Sequence, residues 1–353
     1  MNKPFLDKLR RIDPYVPGEQ PKTANIIKLN ANENPYPPAP GVAKALLEFE
    51  ADKLRLYPDP AALELREAIA AAVSIPEHPV AADQVFVGVG SDDVLALAFL
   101  TFFNSKKPIL FPDITYSFYD VWATLFNIPF ERPALDDDFN LVAADYYKEN
   151  GGVVIANPNA PTGIVQNESF LRDVIEHNRD VVVIIDEAYV DFCGESALYL
   201  TKEYDNVLIV QTFSKSRSMA GMRIGYAMGN PELIKAMNDV RFSYNSYPMT
   251  RLSVALGVAA IEDEDYFQAT KNQIIETREW TKRELKALGF TFGDSKTNFI
   301  FAKHSTVDAE VIFDKLREKH IFVRHFSGER IRNYLRISIG TMAEMEKFID
   351  ELK

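Results

Sequence analysis

The chain has 353 residues, of which 47% are hydrophobic and 25% are charged, as is typical of a soluble globular protein with two domains. Its formal net charge of −12 argues against general binding to nucleic-acid backbones, which requires clustered Lys and Arg. No apolar run approaches the roughly 20 residues that span a bilayer, and the N-terminus lacks the apolar core of a signal peptide. Since Cys193 is the only cysteine, we expect a protein of the reducing cytoplasm without nucleic-acid or membrane partners.

The first 245 residues divide into an arm and an α/β domain. Residues 1–50 are rich in proline and asparagine, which favour turns, so we predict an extended arm whose first helix covers 42–49 and which packs partly with the C-terminal domain. Over 51–245, short apolar runs alternate with helical stretches, which predicts a mostly parallel sheet buried on both faces and flanked by helices. Strands are expected near 85–89, 108–111, 153–156, 181–185, 207–211 and 224–228.

Residues 246–353 predict a smaller α+β domain. The stretch 250–288 has the apolar spacing of one long helix or two. Short strands are expected near 299–302, 321–324 and 334–339, and a last helix from Met342. The predicted fold class is therefore α/β, with an arm (1–50), a large domain (51–245) and a small C-terminal domain (246–353).

Polar motifs follow three of the predicted parallel strands. They are Asn157-Pro-Asn-Ala-Pro-Thr-Gly163, Asp186-Glu-Ala-Tyr189 and Thr212-Phe-Ser214-Lys215. Open α/β sheets bind ligands at the carboxyl ends of their strands, so these motifs are expected to meet at one site. Lys215 lies just after a buried strand, where a lysine can act as a nucleophile and base. Asp186 follows five apolar residues, where an aspartate can pair with a buried cation.

A second group of residues has the chemistry of a phosphate site. Ser91 and Asp92 lie between a predicted strand and a helix, where the amides of the helix N-terminus bind anions. The hydroxyls of Thr212 and Ser214 and the guanidinium of Arg223, which lies in Gly221-Met-Arg-Ile-Gly225, are natural phosphate ligands.

In this order the motifs resemble those of the fold-type I pyridoxal-phosphate (PLP) enzymes, the aspartate aminotransferase superfamily, over nearly the whole chain. The resemblance implies that Lys215 forms the Schiff base with PLP, that Asp186 pairs with the pyridine nitrogen, and that Asn157 and Tyr189 hold the ring hydroxyl. It implies that Tyr116 stacks on the ring. It implies that Ser91, Asp92, Thr212, Ser214 and Arg223 bind the phosphate of the cofactor, with Ser91 and Asp92 acting mainly through their backbone amides.

The resemblance also extends to the substrate and to a second subunit. Arg324 and Arg336 would bind the anionic group of the substrate, and Tyr57 resembles the tyrosine that reaches the phosphate from a neighbouring subunit, which implies a homodimer with shared active sites. The two arginines, together with Asn32 in Leu-Asn-Ala-Asn-Glu-Asn and Tyr15 near an imidazole ring, resemble the histidinol-phosphate aminotransferase family. The implied reaction converts L-histidinol phosphate and 2-oxoglutarate to imidazole-acetol phosphate and L-glutamate, in histidine biosynthesis.

Several alternatives stay open on the residues alone. An aromatic amino-acid aminotransferase or a threonine-phosphate decarboxylase would share the cofactor residues, and a PLP-binding regulator would share the fold without the turnover. Taken singly, Lys215 is compatible with a surface lysine, Asp186 with a helix cap, and Arg336 with a structural ion pair. The histidines have no metal-ligand spacing, so no metal is predicted.

Overall fold

Two β-sheets flanked by helices organise the chain in a computed structural model that describes residues 4–16, 18–22 and 25–353. The strands are β1 (Ile27–Leu29), β2 (Val85–Gly88), β3 (Ile109–Leu110), β4 (Phe130–Glu131), β5 (Val153–Ala156), β6 (Val183–Asp186), β7 (Val207–Thr212), β8 (Gly225–Gly229), β9 (Phe290–Phe292), β10 (Phe299–His304), β11 (Ile321–His325) and β12 (Leu335–Ser338). The helices are α1 (Pro40–Glu48), α2 (Leu63–Val73), α3 (Ser91–Phe102), α4 (Phe118–Phe126), α5 (Glu168–Glu176), α6 (Pro231–Tyr244), α7 (Arg251–Glu262), α8 (Glu264–Ala287), α9 (Ala309–Glu318) and α10 (Met342–Leu352). Within the described ranges, no helix is both long and apolar enough to cross a membrane.

The larger sheet has the strand order β2-β8-β7-β6-β5-β3-β4. The strands from β7 to β4 run parallel to one another, and β8 runs antiparallel to both of its neighbours, β2 and β7. Every residue of β5, β6 and β7 is buried, as expected for strands covered by helices on both faces. The predicted mostly parallel α/β sheet is confirmed, and its carboxyl edge collects the ends of β2, β5, β6 and β7.

The smaller sheet joins the N-terminal arm to the C-terminal part of the chain. Its order is β1-β11-β12-β10-β9, with β1 parallel to β11 and the other pairs antiparallel. Three of its strands were predicted, whereas β1 and β9 were not. In the β11–β12 pair, Arg324 lies directly opposite Arg336, so strand register alone places these two predicted substrate residues side by side.

The long helical stretch after residue 250 is two helices that belong to different cores. In α7, Val254, Leu256 and Ile261 are buried in the core of the larger sheet, whereas residues of α8 such as Ile274 pack in the core of the smaller sheet. Asp263 separates the two helices and its carboxylate accepts a hydrogen bond from the first turn of α8. The change of core therefore falls near Asp263, and the domain boundary at 245–246 stays a prediction.

Helix α9 covers β11, and this packing gives a direct test of the smaller core. Leu316 of α9 is fully buried, while Val311 on the same helix is 60% exposed. We expect Leu316→Ala to lower the free energy of unfolding by about 2–5 kcal/mol, since it removes buried methyl groups and leaves a cavity. The matched surface change Val311→Ala should stay within about 0.5 kcal/mol. Urea denaturation of both variants measures the difference, and equal losses would contradict this packing.

Candidate active site

An inner cavity of about 100 Å³ lies at the carboxyl edge of the larger sheet. Alanine and proline residues after β5 and β6 form part of its wall, and polar side chains form the rest. The polar side chains that line it are Ser91, Asp92, Tyr116, Asp186, Tyr189, Ser214, Lys215 and Arg223. All of them come from the sequence-predicted set, so the fold brings residues from 91 to 223 into one small volume.

Asp186 is the buried acid of this cavity. It is the last residue of β6 and is only 5% exposed. Burial raises the pKa of its carboxyl to about 6, although hydrogen bonds from the Tyr119 hydroxyl and the Ala188 amide, and the charge of Lys215, act in the opposite direction. Tyr119 donates to Oδ2 at 2.6 Å and the Ala188 amide donates to Oδ1 at 3.2 Å. At neutral pH the group is therefore mostly a carboxylate, able to pair with a cation in the cavity.

The loop that carries Lys215 is held by the N-terminal arm. Asn34 donates through Nδ2 to the carbonyl oxygens of both Lys215 (3.1 Å) and Ser216 (2.9 Å). On the other side, the Ser216 hydroxyl donates to the carboxylate of Asp191. The Lys215 ammonium itself lies 3.5 Å from the carbonyl oxygen of Ala31. These contacts hold the backbone at Lys215 and Ser216, so the position of the amine does not depend on β7 alone.

The arm also fixes Tyr189, whose ring centre lies 5.6 Å from the Lys215 nitrogen. Asn32 donates through Nδ2 to the Tyr189 hydroxyl at 2.9 Å, and its Oδ1 accepts from the Ser338 hydroxyl at 3.0 Å. The Asn32 carbonyl accepts from Asn298 at 2.9 Å. Asn32 was predicted to contact substrate. Its side-chain amide takes part in a buried network that orients Tyr189, and its direct contact with substrate stays a prediction.

The phosphate-type ligands meet at the N-terminus of α3. Ser91 is the first residue of that helix, and Arg223 donates to the Ser214 hydroxyl (3.4 Å) and to the carboxylate of Asp92 (3.1 Å). Gly90 adopts φ +88°, and a Cβ there would lie only 2.4 Å from the Arg223 guanidinium, so only glycine leaves room for the cation. Amides, a hydroxyl and a guanidinium around one space form an anion-binding cradle.

Two residues predicted to bind the cofactor are engaged elsewhere. Asn157 donates to the carbonyl of Gln166 (3.2 Å) and accepts from its amide (2.7 Å). The Thr212 hydroxyl donates to the Ile224 carbonyl (3.3 Å) and accepts from the Ser214 amide (3.1 Å). In this arrangement both side chains stabilise loops at the edge of the sheet, and their direct roles toward a cofactor stay predictions.

An outer cavity of about 390 Å³ adjoins the inner one and shares Tyr116 and Ala160 with it. Tyr15 lines the outer cavity, and its ring stacks on Phe118 with centroids 4.2 Å apart; its place beside an imidazole ring stays a prediction. The Tyr116 hydroxyl donates to Asp92 at 2.7 Å, which fixes this ring between the two cavities. One side of the outer cavity is therefore an aromatic wall.

The opposite side of the outer cavity carries Arg324 and Arg336. Arg336 donates to the Asn30 carbonyl at 3.2 Å, and burial lowers the pKa of its guanidinium. Its Nε is buried without a hydrogen-bond partner among the described residues. A buried donor of this kind is costly unless a ligand satisfies it, and two adjacent guanidinium groups suit a phosphate or a carboxylate.

Sequence reasoning missed Tyr119 and Asn34. Tyr119, in the first turn of α4, lies three residues after Tyr116, and the two ring centroids are 5.7 Å apart; this closeness in the sequence was the available clue. Nothing in the sequence pairs Asn34 with the backbone of Lys215, because the contact spans 181 residues. Tyr57 is 77% exposed and its ring lies 4.7 Å from that of Tyr247, so it lies apart from the residues that line the cavities of its own chain.

The match to known proteins extends over nearly the whole chain. Residues 24–352 match the family described as aminotransferase class I and II. The chain belongs to the class I and II aminotransferases. The cofactor of this family is PLP, so the cofactor predicted from the motifs is confirmed at the level of the family.

Individual relatives narrow the family further. The histidinol-phosphate aminotransferase of Brachyspira hyodysenteriae is 50% identical over 353 residues, covering 99% of this chain and 98% of the relative. The histidinol-phosphate aminotransferase of Lactococcus lactis subsp. cremoris is 50% identical over 349 residues, covering 99% of this chain and 97% of the relative. A solved histidinol-phosphate aminotransferase from Sinorhizobium meliloti, in complex with PLP, has a TM-score of 0.83 and 25% identity over 92% of this chain and 89% of its own. The predicted histidinol-phosphate aminotransferase family is thereby confirmed.

The residues of the inner cavity fit PLP. A carboxylate (Asp186) can pair with the ring nitrogen, an amine (Lys215) can bond to the aldehyde, and the cradle of Ser91, Ser214 and Arg223 offers donors for the phosphate. The structural observation that supports this fit is the close approach of the Arg223 guanidinium to Gly90 at the N-terminus of α3, where an added Cβ would lie 2.4 Å from it.

The hydrogen bond from Tyr119 to Asp186 predicts a pH-dependent effect on cofactor binding. In Tyr119→Phe the carboxylate loses a donor, so the pKa of Asp186 should rise above its value of about 6. PLP affinity should then fall by up to about tenfold near pH 6, where less Asp186 is ionised, and approach the parent value near pH 8. Equilibrium dialysis of PLP against the apoprotein at several pH values measures this.

Tyr146→Phe is the matched control, because Tyr146 is also buried but its hydroxyl has no partner among the described residues. It should bind PLP like the parent at every pH. A loss of PLP affinity in Tyr119→Phe that is the same at every pH would argue that Tyr119 does not act through the ionisation of Asp186.

Proposed function

We propose that this chain transfers the amino group of L-histidinol phosphate to 2-oxoglutarate, giving imidazole-acetol phosphate and L-glutamate, as a step of histidine biosynthesis. The observation that carries the proposal is the pairing of Arg324 and Arg336 across β11 and β12 in a cavity that adjoins the one containing Lys215. The relatives named for this activity support it, since they are about half identical along the whole chain.

When bound, PLP supplies a carbonyl that takes up the amino group and a ring that accepts an electron pair from the adjacent carbon. The Lys215 amine removes the proton from the amine-bearing carbon of the donor and returns a proton during the second part of the half-reaction. Well-placed proton transfer of this kind typically contributes about 10²–10⁴-fold to a rate. Asp186, ionised at neutral pH, would pair with the protonated ring nitrogen, and the hydrogen bond from Asn32 orients Tyr189, whose ring centre lies 5.6 Å from the Lys215 nitrogen.

The outer cavity orients the substrates. Arg324 and Arg336 bind the phosphate of histidinol phosphate, and the same guanidinium groups bind a carboxylate of 2-oxoglutarate in the second half-reaction, because both anions match the planar donor fork. The aromatic wall of Tyr15 and Tyr116 packs against the imidazole ring. An aromatic amino-acid aminotransferase is the second candidate, since the same wall would accept a phenyl ring.

The test mixes the holoenzyme with L-histidinol phosphate in the absence of a keto acid and follows the absorbance spectrum. We expect the visible band of the lysine-bound cofactor to decrease and the near-ultraviolet band of pyridoxamine phosphate to increase. Lys215→Ala, which removes the amine, should give no such conversion. L-Phenylalanine and threonine phosphate serve as comparison donors.

Each outcome of this test has a distinct meaning. Fast conversion by histidinol phosphate alone supports the proposed donor. Conversion by phenylalanine but not by histidinol phosphate would move the chain to the aromatic aminotransferases, and release of carbon dioxide from threonine phosphate would favour a decarboxylase. Conversion at the parent rate in Lys215→Ala would overturn the role of the lysine.

We further propose that the enzyme is a homodimer in which Tyr57 of one chain completes the cavity of the other. A group of apolar side chains is exposed on and next to α1 and at the end of α6. Its members are Leu46, Leu47, Leu54, Leu56, Tyr57, Tyr244 and Tyr247. Exposed apolar groups of this extent are typical of a covered surface, and the contact of Tyr57 with Tyr247 links the two ends of the group.

The homodimer predicts a mass in solution of twice one chain. Leu47→Asp combined with Leu54→Asp should shift the protein toward a monomer and reduce PLP affinity, because two charges would be buried in the interface and Tyr57 would be lost from the site. Analytical ultracentrifugation measures the mass. Val311→Asp, on the exposed face of α9, is the control that should leave the mass unchanged. A monomeric parent protein would refute the proposal.

A further inference from the structure

The two walls of the outer cavity are carried by different sheets. One wall is the segment 113–117 that follows β3 of the larger sheet, and the other is the loop 326–331 between β11 and β12 of the smaller sheet. The distance between the walls is therefore set by contacts that cross from one sheet to the other, among them the packing of Ile331 against the core of the larger sheet.

Arg330 makes such a contact with three hydrogen bonds. Its Nη1 donates to Oδ2 of Asp113 at 2.9 Å, and its Nη2 donates to the carbonyl oxygens of Leu135 (2.9 Å) and Asp136 (2.8 Å). The guanidinium also lies 5.7 Å from the centre of the Phe139 ring. A planar fork that satisfies three acceptors at once fixes both the distance and the angle between the loop and the opposite wall.

The acceptors are themselves held in place. Oδ1 of Asp113 accepts from the amide of Leu135 at 2.9 Å, so the carboxylate that receives Arg330 is already oriented by the segment that supplies the two carbonyls. Asp113 lies three residues before Tyr116, the ring between the two cavities. The contact of Arg330 therefore connects the loop of the smaller sheet to the wall that carries Tyr116.

The charges in the cavity separate the role of Arg330 from those of its neighbours. Arg330 is paired with Asp113, whereas neither Arg324 nor Arg336 has a carboxylate partner among the described residues. The two latter side chains therefore remain available to an anion, and Arg330 remains committed to the opposite wall.

We propose that Arg330 is a positioning residue that holds the outer cavity at its working width, so that Arg324 and Arg336 lie at the correct distance from Lys215 for a bound substrate. The proposal rests on the proposed transamination but not on the identity of the amino donor. It adds to the reaction a residue that acts through the two walls and not by contact with the reacting atoms.

The test compares Arg330→Met with the parent in both half-reactions. We expect KM to rise about tenfold for the amino donor and for 2-oxoglutarate alike, as when the competent arrangement falls to about one tenth of the population. kcat should change by less than about threefold, because the reacting groups of the inner cavity are unaltered. Arg332→Met is the matched control: this arginine is exposed two residues later in the chain, and it should leave KM unchanged.

Two further variants separate positioning from simple loss of stability. Asp113→Asn keeps an oxygen for the Leu135 amide but removes the charge, so it should raise KM by a smaller factor. The double variant, Arg330→Met with Asp113→Asn, should have a KM no higher than that of Arg330→Met alone, because both changes remove the same contact. Arg330→Lys can bond to only some of the three acceptors, so its KM should lie between those of the parent and Arg330→Met. It serves as the test variant if Arg330→Met does not fold. An unchanged KM in a folded Arg330 variant, or additive effects in the double variant, would overturn the proposal.

The donor used in the assay keeps this proposal distinct from the proposed function. Both the parent and the variants are measured with L-glutamate and with L-histidinol phosphate. If the parent converts glutamate but not histidinol phosphate, the proposed donor is wrong, and the effect of Arg330→Met on the KM of glutamate still decides the role of Arg330. If the parent converts both and Arg330→Met has the parent KM for each, only the role of Arg330 is refuted.

Discussion

The burial of the Asp186 carboxylate is the constraint on which the rest of the site depends. An ionisable group at the end of a strand that is buried on both faces is costly to keep charged, and the pKa of about 6 expresses that cost. A tyrosine hydroxyl and a backbone amide donate hydrogen bonds to the carboxylate and lower that cost. A cationic ring in the inner cavity would reduce it further. A protonated heterocycle bound in this cavity would therefore gain from pairing with a carboxylate that is largely shielded from water.

The parallel direction of the strands explains how so few residues form two joined cavities. Because β5, β6 and β7 end at one edge, the groups after each of them lie within one small volume. The antiparallel strand β8 contributes from its amino end, which is why Arg223 comes before that strand and not after it. The smaller sheet then supplies what the larger sheet lacks, namely a cationic wall for the remainder of a substrate.

The parts that could be predicted from the sequence are those encoded locally. Runs that are apolar at every position, such as 153–156, identify buried strands, and the residues that follow them identify the edge where ligands bind. Strand β1 was missed because three residues in a proline-rich arm carry no periodicity, and it exists only through its pairing with β11. Asn32 and Asn157 show a second limit. Their chemistry was visible, but the hydrogen bonds that hold them, from Asn32 to Tyr189 and between Asn157 and Gln166, could not be read from the motifs alone.

The N-terminal arm has a consequence for the order in which the site is made during synthesis. Residues 27–34 leave the ribosome early, yet β1 pairs only with β11, and Asn32 bonds to Ser338, which lies 306 residues later. The larger sheet can fold while translation continues, but the oriented tyrosine and the clamped lysine loop require the last strands. A chain that lacks β11 and β12 would therefore hold Lys215 and Tyr189 without these contacts, and the site reaches its final form only after both strands have been made.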